Sequence, residues 1–483
     1  MVLLDSSASC SGAGDGVDVL PCLQEAKETS PPPTLPRTKG PPAGKPIVYR
    51  RAKDPERHLL GGGNVLRISL LFLALGAAIY RPLPELMCDN VLDKIAMHII
   101  EPVLRLSYYY PTRLCPDAYC MMWWTRGTLN HLSALVGPIW DSDPELHMQT
   151  TLFDGVKVRI YYPKDSNATE TDGAIIFIHG GGFVLGNTEM YESLTRTMAK
   201  QMKTRLFVSV DYRLAPETVF PGGIEDCEKV IEYVMEHGPA RFGIDPRKII
   251  LMGDSAGGNL VAVVTQRRRE RKAVPEVLGQ ILLYPLLQFS DLQSVSYRYH
   301  NREMTGLAFV DPLSVAIYYI MYAGIDIGNH PEYAIAATTN GHLTAEADAL
   351  REELADYSRL PEYLQNDYNG TMLREDVQPN ADAMAQLAPF LTNPDFAPLM
   401  RRDLSNLPSA LVVTCEFDVL RDEGAMYAQR LQEAGVSTTY IHYPRAFHAF
   451  LNFHAELIMG VKAINDIKEW TMQRFAIGAA EIE

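Results

Sequence analysis

From about residue 150 onward, short apolar runs alternate with stretches in which apolar residues recur every three or four positions. The short runs predict seven strands, at residues 156–162, 174–178, 206–210, 248–252, 279–284, 409–414 and 438–443. Helical spacing predicts helices at residues 194–202, 224–236, 259–269 and 423–433. Nearly continuous apolar strands separated by helices are typical of a mostly parallel sheet covered on both faces. The sequence therefore predicts an α/β domain over residues 150–483.

The interval at residues 286–405 interrupts this alternation. Within it, residues 346–376 carry nine acids against three arginines, which indicates a solvated insertion. Together with the apolar segment at residues 121–124, the interval is expected to form a cap over a pocket at the sheet. For residues 121–124, ordinary packing in the core stays an equal alternative.

The first 150 residues divide into three parts. Seven of the seventeen residues at positions 30–46 are proline, so residues 1–63 are predicted to be a disordered tail. Residues 68–80 are thirteen nearly all apolar residues without a charge, and residues 64–83 are predicted to form a membrane-anchor helix. Residues 84–149 are interpreted as a cap or linker. A buried or interfacial helix is the alternative to the anchor.

Charge around the apolar segment predicts its orientation. Seven Lys and Arg stand against two acids between residues 37 and 57. Because positive flanks stay on the cytosolic side, the rest of the chain is expected to cross the membrane. Asn167 and Asn369 begin N-glycosylation sequons, which permit such a location.

Composition and cysteine spacing argue against two functional classes, nucleic-acid binding and metal binding. A net charge of −15 argues against nucleic-acid binding, which needs surplus Lys and Arg. The seven cysteines include no CxxC pair and have no His at zinc-finger spacing, so no metal site is expected.

A G-x-S-x-G pentapeptide follows the strand predicted at residues 248–252. It reads Gly253-Asp254-Ser255-Ala256-Gly257 and leads directly into a predicted helix. In this context the glycines permit a sharp turn that holds the Ser255 hydroxyl above the sheet. Ser255 is therefore the candidate nucleophile.

A serine nucleophile needs a base, and the base needs an orienting carboxylate. Asp418 follows one late strand and His448 follows the next, in the order serine, acid, base. Alternatives remain: Glu416, Asp422 and Glu423 for the acid, and His442 and His454 for the base. His442 lies within a predicted strand, and His454 is expected to begin the final helix.

A glycine run after the strand at residues 174–178 is the candidate oxyanion hole. His179-Gly180-Gly181-Gly182-Phe183 lacks Cβ atoms at three successive positions, so backbone N–H groups can approach a substrate oxygen closely. No phosphate-binding glycine fingerprint is present, and no cofactor is expected.

Taken together, these motifs resemble the hormone-sensitive-lipase-like branch of the α/β-hydrolase family. The matching segments are His179–Phe183, residues 211–217 (DYRLAPE), residues 253–260 (GDSAGGNL) and Phe447-His448. Residues 284–288 (YPLLQ) and 415–423 (CEFDVLRDE) are similar to the arylacetamide deacetylase and neutral cholesterol ester hydrolase group.

The resemblance implies a serine ester hydrolase without a cofactor. It assigns Ser255, Asp418 and His448 to the catalytic triad and the N–H groups of Gly181, Gly182 and Ala256 to the oxyanion hole. It also implies a lipophilic ester as substrate, and an N-terminal anchor in the endoplasmic reticulum membrane with a lumenal catalytic domain. Alternatives are an amidase, a ligand-binding homologue without activity, and a cytosolic or peripheral domain.

Overall fold

The computed structural model describes residues 81–482, except for 89, 116, 137–141, 166–168, 305–306, 308 and 367–375. Only residues 81–83 of the predicted anchor belong to this part. The predicted tail and both sequon asparagines, Asn167 and Asn369, lie outside it. Within these ranges, no helix has the length and apolar character needed to cross a bilayer.

Eight strands form one sheet in the described part of the chain. In chain order they are β1 (Leu146–Phe153), β2 (Val156–Pro163), β3 (Thr171–Ile178), β4 (Thr204–Asp211), β5 (Ile249–Asp254), β6 (Gly279–Leu283), β7 (Ser409–Phe417) and β8 (Thr438–Phe447). Their spatial order is β1-β2-β4-β3-β5-β6-β7-β8. The two pairings that involve β2 are antiparallel, and the other five are parallel. The predicted mostly parallel α/β sheet is confirmed.

Helices cover both faces of this sheet and extend beyond it. Those of eight residues or more are α1 (Val91–Leu104), α2 (Ala118–Val136), α3 (Glu192–Met202), α4 (Gly222–Phe242), α5 (Ala256–Glu270), α6 (Val295–Glu303), α7 (Pro312–Tyr322), α8 (Pro331–Thr338), α9 (Ala345–Leu354), α10 (Ala381–Leu391), α11 (Arg421–Glu433) and α12 (Ile458–Ile482). Helices α6 to α10 lie in the interval that interrupts the strand pattern. A disulfide joins Cys115, which precedes α2, to Cys120 near the start of α2.

The alternation of side chains along each strand builds two apolar layers, one on either face of the sheet. Ile176 and Ile178 of β3 pack in the layer that contains α4 and α5. Ile175 and Phe177 point to the other face and pack with α3 and α12. Because side chains alternate with a period of two, one apolar run supplies both layers. The central strands are therefore buried on both faces, as their composition predicts.

Two details differ from the sequence-based expectations. Strand β1 was not predicted, because exposed or half-exposed residues such as Gln149 and Thr150 break its apolar pattern at the edge of the sheet. His454 does not begin the last helix. It follows a short 3-10 turn at Phe450–Phe453, and α12 begins at Ile458.

Candidate active site

The candidate site lies where four strands end. His179, Ser255, Asp418 and His448 are each the first residue after a strand, namely β3, β5, β7 and β8. These strands run parallel in the sheet, so their carboxyl ends share one edge. Ligand sites of open α/β sheets form at this edge. The fold thus brings together residues that are up to 269 positions apart in the chain.

Ser255 occupies a strained turn between β5 and α5. Its backbone has φ 53° and ψ −120°, in the left-handed region that a residue with a side chain seldom adopts. The turn is held because Ser255 N donates to Leu283 O at 2.9 Å, while its own carbonyl accepts from Asn259 N and Leu286 N. The side chain is thereby fixed at the edge of the sheet, as in a nucleophile elbow.

Glycines on either side leave the space that this turn requires. A Cβ on Gly257 would lie 2.0 Å from Ile178 O, and one on Gly253 would lie 2.4 Å from Gly257 O. Both obstacles are backbone atoms and cannot rotate away. The first helical turn of α5 therefore packs directly against the end of β3, which carries the glycine run.

A continuous line of hydrogen bonds joins the three predicted triad residues. Ser255 Oγ lies 3.0 Å from His448 Nε2, and His448 Nδ1 lies 2.8 Å from Asp418 Oδ2. The other Asp418 oxygen accepts from Leu420 N at 2.9 Å. All three side chains are buried. This arrangement can deprotonate a serine hydroxyl and stabilise the imidazolium that forms.

The alternative acids are engaged elsewhere. Glu416 contacts His442 Nε2 at 3.0 Å and accepts from Arg421 at 2.7 Å. Burial raises the pKa of Glu416, but the contacts to His442 and Arg421 outweigh it, so the net shift is downward. Asp422 accepts from Ser296 N at 2.7 Å. It is Asp418 that contacts His448 Nδ1.

The remaining two alternatives also have structural partners. Glu423 accepts from Leu287 N at 2.6 Å and from Gln288 Nε2 at 2.8 Å, and burial raises its pKa well above its usual range. His454 Nε2 lies 3.0 Å from Thr197 Oγ1. Glu423 therefore holds the loop that follows β6, and His454 contacts α3.

The glycine run turns back over the end of β3. Gly181 has φ 114° and Gly182 has φ 60°, a conformation that glycine adopts without a steric penalty. A Cβ on Gly182 would lie 2.3 Å from the Tyr318 ring of α7. Ala256 is the first residue of α5, where backbone N–H groups have no partner within the helix. Gly181, Gly182 and Ala256 are thus placed on two adjacent turns.

His179 supports the glycine run from below. It is fully buried, its Nδ1 lies 2.7 Å from Gly180 O, and its ring stacks on Tyr212 with centroids 4.5 Å apart. Burial lowers the pKa of His179, so the ring is neutral near pH 7. Its role is to position the loop.

Asp254 links the two turns, a contact that the sequence motif did not reveal. One carboxylate oxygen accepts from Gly180 N at 2.7 Å, and the other accepts from Tyr191 Oη at 3.0 Å. Asp254 is fully buried, and this burial raises its pKa to about 6. The motif identified Asp254 only as a supporting residue. Nothing in the sequence connected it with Gly180 or Tyr191.

Arg126 of α2 is a second positioning residue that the sequence did not single out. Its guanidinium donates to Val184 O at 2.8 Å and to Ala215 O at 2.6 Å. Val184 follows the glycine run by two residues. Helix α2, which precedes the sheet in the chain, therefore holds the loop that carries Gly181 and Gly182.

Comparison with known proteins agrees with this geometry. A family model for the alpha/beta hydrolase fold matches residues 175–362 and 347–452. Neutral cholesterol ester hydrolase 1 from Bos taurus is 31% identical over 344 residues, covering 69% of this chain and 81% of the relative. Arylacetamide deacetylase from Mus musculus is 33% identical over 318 residues, covering 65% and 76% respectively. An esterase of known structure from Pyrobaculum calidifontis has a TM-score of 0.52 and 27% identity, and covers 80% of this chain and 98% of its own.

The fold, the serine elbow and these matches define an α/β hydrolase. The chain belongs to the α/β-hydrolase family, and its neutral cholesterol ester hydrolase and arylacetamide deacetylase relatives confirm the resemblance inferred from its motifs. It is an ester hydrolase.

Replacing Gly257 by alanine tests the close packing of the two turns. The new Cβ would meet Ile178 O, so we expect the free energy of unfolding to fall by about 2 to 4 kcal/mol, with a large loss of esterase activity. Urea unfolding and kcat/KM measure the two effects. Gly127→Ala is the control, because a Cβ on Gly127 of α2 meets no atom within 4 Å. Equal stability of the two variants would contradict the packing argument.

The raised pKa of Asp254 predicts a pH-dependent stability. Its folded value of about 6 lies above the usual value of 3.8, so ionisation disfavours the folded chain. Wild-type stability relative to Asp254→Asn should therefore be highest below pH 4 and fall by about 2 to 3 kcal/mol as the pH rises to 7. Urea unfolding of both proteins at pH 4, 5, 6 and 7 measures this difference. If the free energies of unfolding of the two proteins changed with pH in parallel, the predicted effect of Asp254 would be excluded.

Proposed function

We propose that the chain hydrolyses lipophilic carboxylic esters by two-step acyl transfer. Ser255 is the nucleophile, His448 the general base and Asp418 the carboxylate that orients the histidine. The observation that most supports this proposal is the unbroken line from Ser255 Oγ through His448 to Asp418, with distances of 3.0 and 2.8 Å.

In the first step His448 Nε2 takes the proton as Ser255 Oγ attacks the ester carbonyl. The N–H groups of Gly181, Gly182 and Ala256 hold the oxyanion, and the positive end of α5 favours the same charge. His448 then gives its proton to the leaving alcohol. Water enters, loses a proton to His448 and releases the acid, which restores Ser255.

The surroundings of the glycine run favour an apolar substrate group. Tyr318 lies against Gly182, and the Phe183 ring stacks on Tyr322 with centroids 3.9 Å apart. Helix α7 carries both tyrosines, and all of its residues except the half-buried Leu313 are buried. An acyl or alcohol group that reaches this side of the oxyanion hole meets aromatic rings, so a lipophilic ester fits better than a charged one.

Location is the second part of the proposal. We infer that residues 64–83 anchor the chain in the endoplasmic reticulum membrane, with the catalytic domain in the lumen. The Cys115–Cys120 disulfide supports this, because disulfides persist in oxidising compartments. The described residues that flank the two sequons, such as Asp165, Glu170, Gln365 and Asp376, are exposed, as glycosylation requires.

Ser255→Ala tests the chemistry. Without the nucleophile, we expect kcat for nitrophenyl esters to fall by a factor of about 10⁴ to 10⁶. His442→Ala is the matched control, because His442 contacts Glu416 and not Ser255, and it should keep most of the activity. Equal turnover by wild type and Ser255→Ala would overturn the proposal. Arylacetamides assayed in parallel separate an esterase from an enzyme that is mainly an amidase.

Glycosidase digestion of the full chain expressed in cells tests the location. We expect two N-glycans, with Asn167→Gln and Asn369→Gln each removing one mobility shift on a gel. The double variant should be insensitive to the glycosidase. A wild-type chain without any shift would place the catalytic domain in the cytosol and contradict the proposal.

A further inference from the structure

Helix α1 exposes many of its apolar residues and buries both of its carboxylates. Its two acids, Asp93 and Glu101, and the following Arg105 are all at most 2% exposed, and Glu101 forms a buried ion pair with Arg105. Lys94 is half-buried. Apart from His98, the exposed side chains of this segment are apolar and 38 to 71% exposed; they are Val91, Leu92, Ile95, Ile99, Val103 and Leu106. A helix on a water-facing surface has the opposite arrangement, with its apolar stripe toward the core.

Further apolar and aromatic residues extend this surface. Leu114, Tyr119, Trp123 and Trp124 are exposed, and Trp123 reaches 79%. The two parts meet where Trp124 Nε1 donates to Leu106 O at 3.1 Å. We call these ten residues, from α1, its continuation and α2, the outer apolar face. Soluble monomers seldom expose so many neighbouring apolar side chains.

The outer apolar face is carried by elements that hold both loops of the site. Beneath α1, Asp93 Oδ1 accepts from Ile458 N at 3.1 Å, and the preceding Cys88 N donates to Arg445 O at 3.1 Å. Both partners belong to the segment around His448. On the other side, Arg126 of α2 holds Val184 beside the glycine run. The face and the catalytic loops are thus parts of one connected structure.

The position of the face in the chain indicates what covers it. Ten residues separate Tyr80, the last residue of the apolar run at residues 68–80, from Val91, the first residue of α1. If that run is in a bilayer, a linker of ten residues keeps α1 within about 35 Å of the membrane surface. Tyrosine and tryptophan are the side chains that concentrate at the boundary between lipid and water. The buried carboxylates of α1 leave no acid of this helix facing outward.

We propose that the outer apolar face lies in the interfacial region of the membrane that holds the N-terminal anchor, and that it presents the active site to esters dissolved in that membrane. This proposal rests on the anchor and the esterase activity proposed above. It adds a second, reversible membrane contact, formed by the folded domain itself. Lipophilic substrate then reaches Ser255 from the bilayer without crossing water.

A fluorophore at position 99 tests the contact directly. In the full chain, Cys10→Ser and Cys22→Ser leave the buried cysteines as the remaining free thiols. Ile99→Cys or Val274→Cys is then added, and the new thiol is labelled with an environment-sensitive dye. Val274 is the control because it is 84% exposed and precedes β6, at the amino edge of the sheet opposite the site. Both proteins are reconstituted in phosphatidylcholine vesicles.

At position 99, nitroxide-labelled lipid should quench the dye at least about twofold, and aqueous iodide should quench it weakly, because interfacial helices insert about 5 to 10 Å. At position 274, iodide should quench the dye strongly and nitroxide-labelled lipid should quench it weakly. Iodide quenching at 99 equal to that at 274 would overturn the proposal. Protection from both quenchers would also overturn it, since a second copy or residues 68–80 would then cover the face.

Kinetic measurements test whether the membrane contact affects hydrolysis of esters that are dissolved in the membrane. In Ile95→Asn/Ile99→Asn, kcat/KM for a long-chain ester dissolved in vesicles should fall about fivefold or more, since two apolar side chains leave the lipid. Activity on a water-soluble acetate ester should stay within about twofold of wild type. The control is Val274→Asn/Ile477→Asn, whose exposed apolar residues lie outside the outer apolar face, before β6 and near the end of α12.

These measurements separate the proposals on which the inference rests. Resistance of the chain to carbonate extraction reports the anchor, and loss of acetate hydrolysis in Ser255→Ala reports the esterase. An equal fall on both substrates in Ile95→Asn/Ile99→Asn would indicate a damaged site and would contradict membrane presentation. An unchanged rate on both would contradict it as well.

Discussion

The close approach of the turns that follow β3 and β5 is the constraint on which the site depends. Gly257 packs against Ile178 O with no room for a Cβ, and Gly180 N donates to the buried carboxylate of Asp254 at 2.7 Å. One turn carries Ser255, the proposed nucleophile, and the other carries the glycine run. Because the contacts between them are made by backbone atoms and one fully buried side chain, the distance between the two parts cannot adjust. The preorganisation that oxyanion stabilisation needs is therefore a property of packing.

Much of this arrangement could be predicted from the sequence, because it follows local rules. The central strands are apolar on both faces, and seven of the eight described strands were predicted from short apolar runs. Ser255 lies between glycines at the junction of a strand and a helix, which is a local signal with a steric cause. Strand β1 was missed for the opposite reason. It lies at the edge of the sheet, where exposed positions interrupt the apolar pattern.

The choice among acids shows where local reasoning ends. Four carboxylates lie between positions 416 and 423, and periodicity does not distinguish them. The distinction depends on β7 continuing to Phe417, three residues beyond the predicted end, which makes Asp418 the first residue of the loop. Pairings such as Glu416 with His442, or Arg126 with Val184, join segments that are 26 and 58 residues apart. Such pairings depend on the tertiary fold and leave no signature in the sequence.

The spatial order of the strands also determines how much of the chain is needed to form a soluble domain. The segment matched by the family model begins at residue 175, after β1 and β2, yet it contains every residue of the proposed chemistry. Without β2, strand β4 would become an open edge, and its run from Leu206 to Val210 is entirely buried. Uncovered apolar edges pair with other chains and aggregate. The segment needed for a soluble domain is thus longer than the segment that holds the proposed catalytic residues. A fragment whose boundaries are drawn around the catalytic motifs would be insoluble.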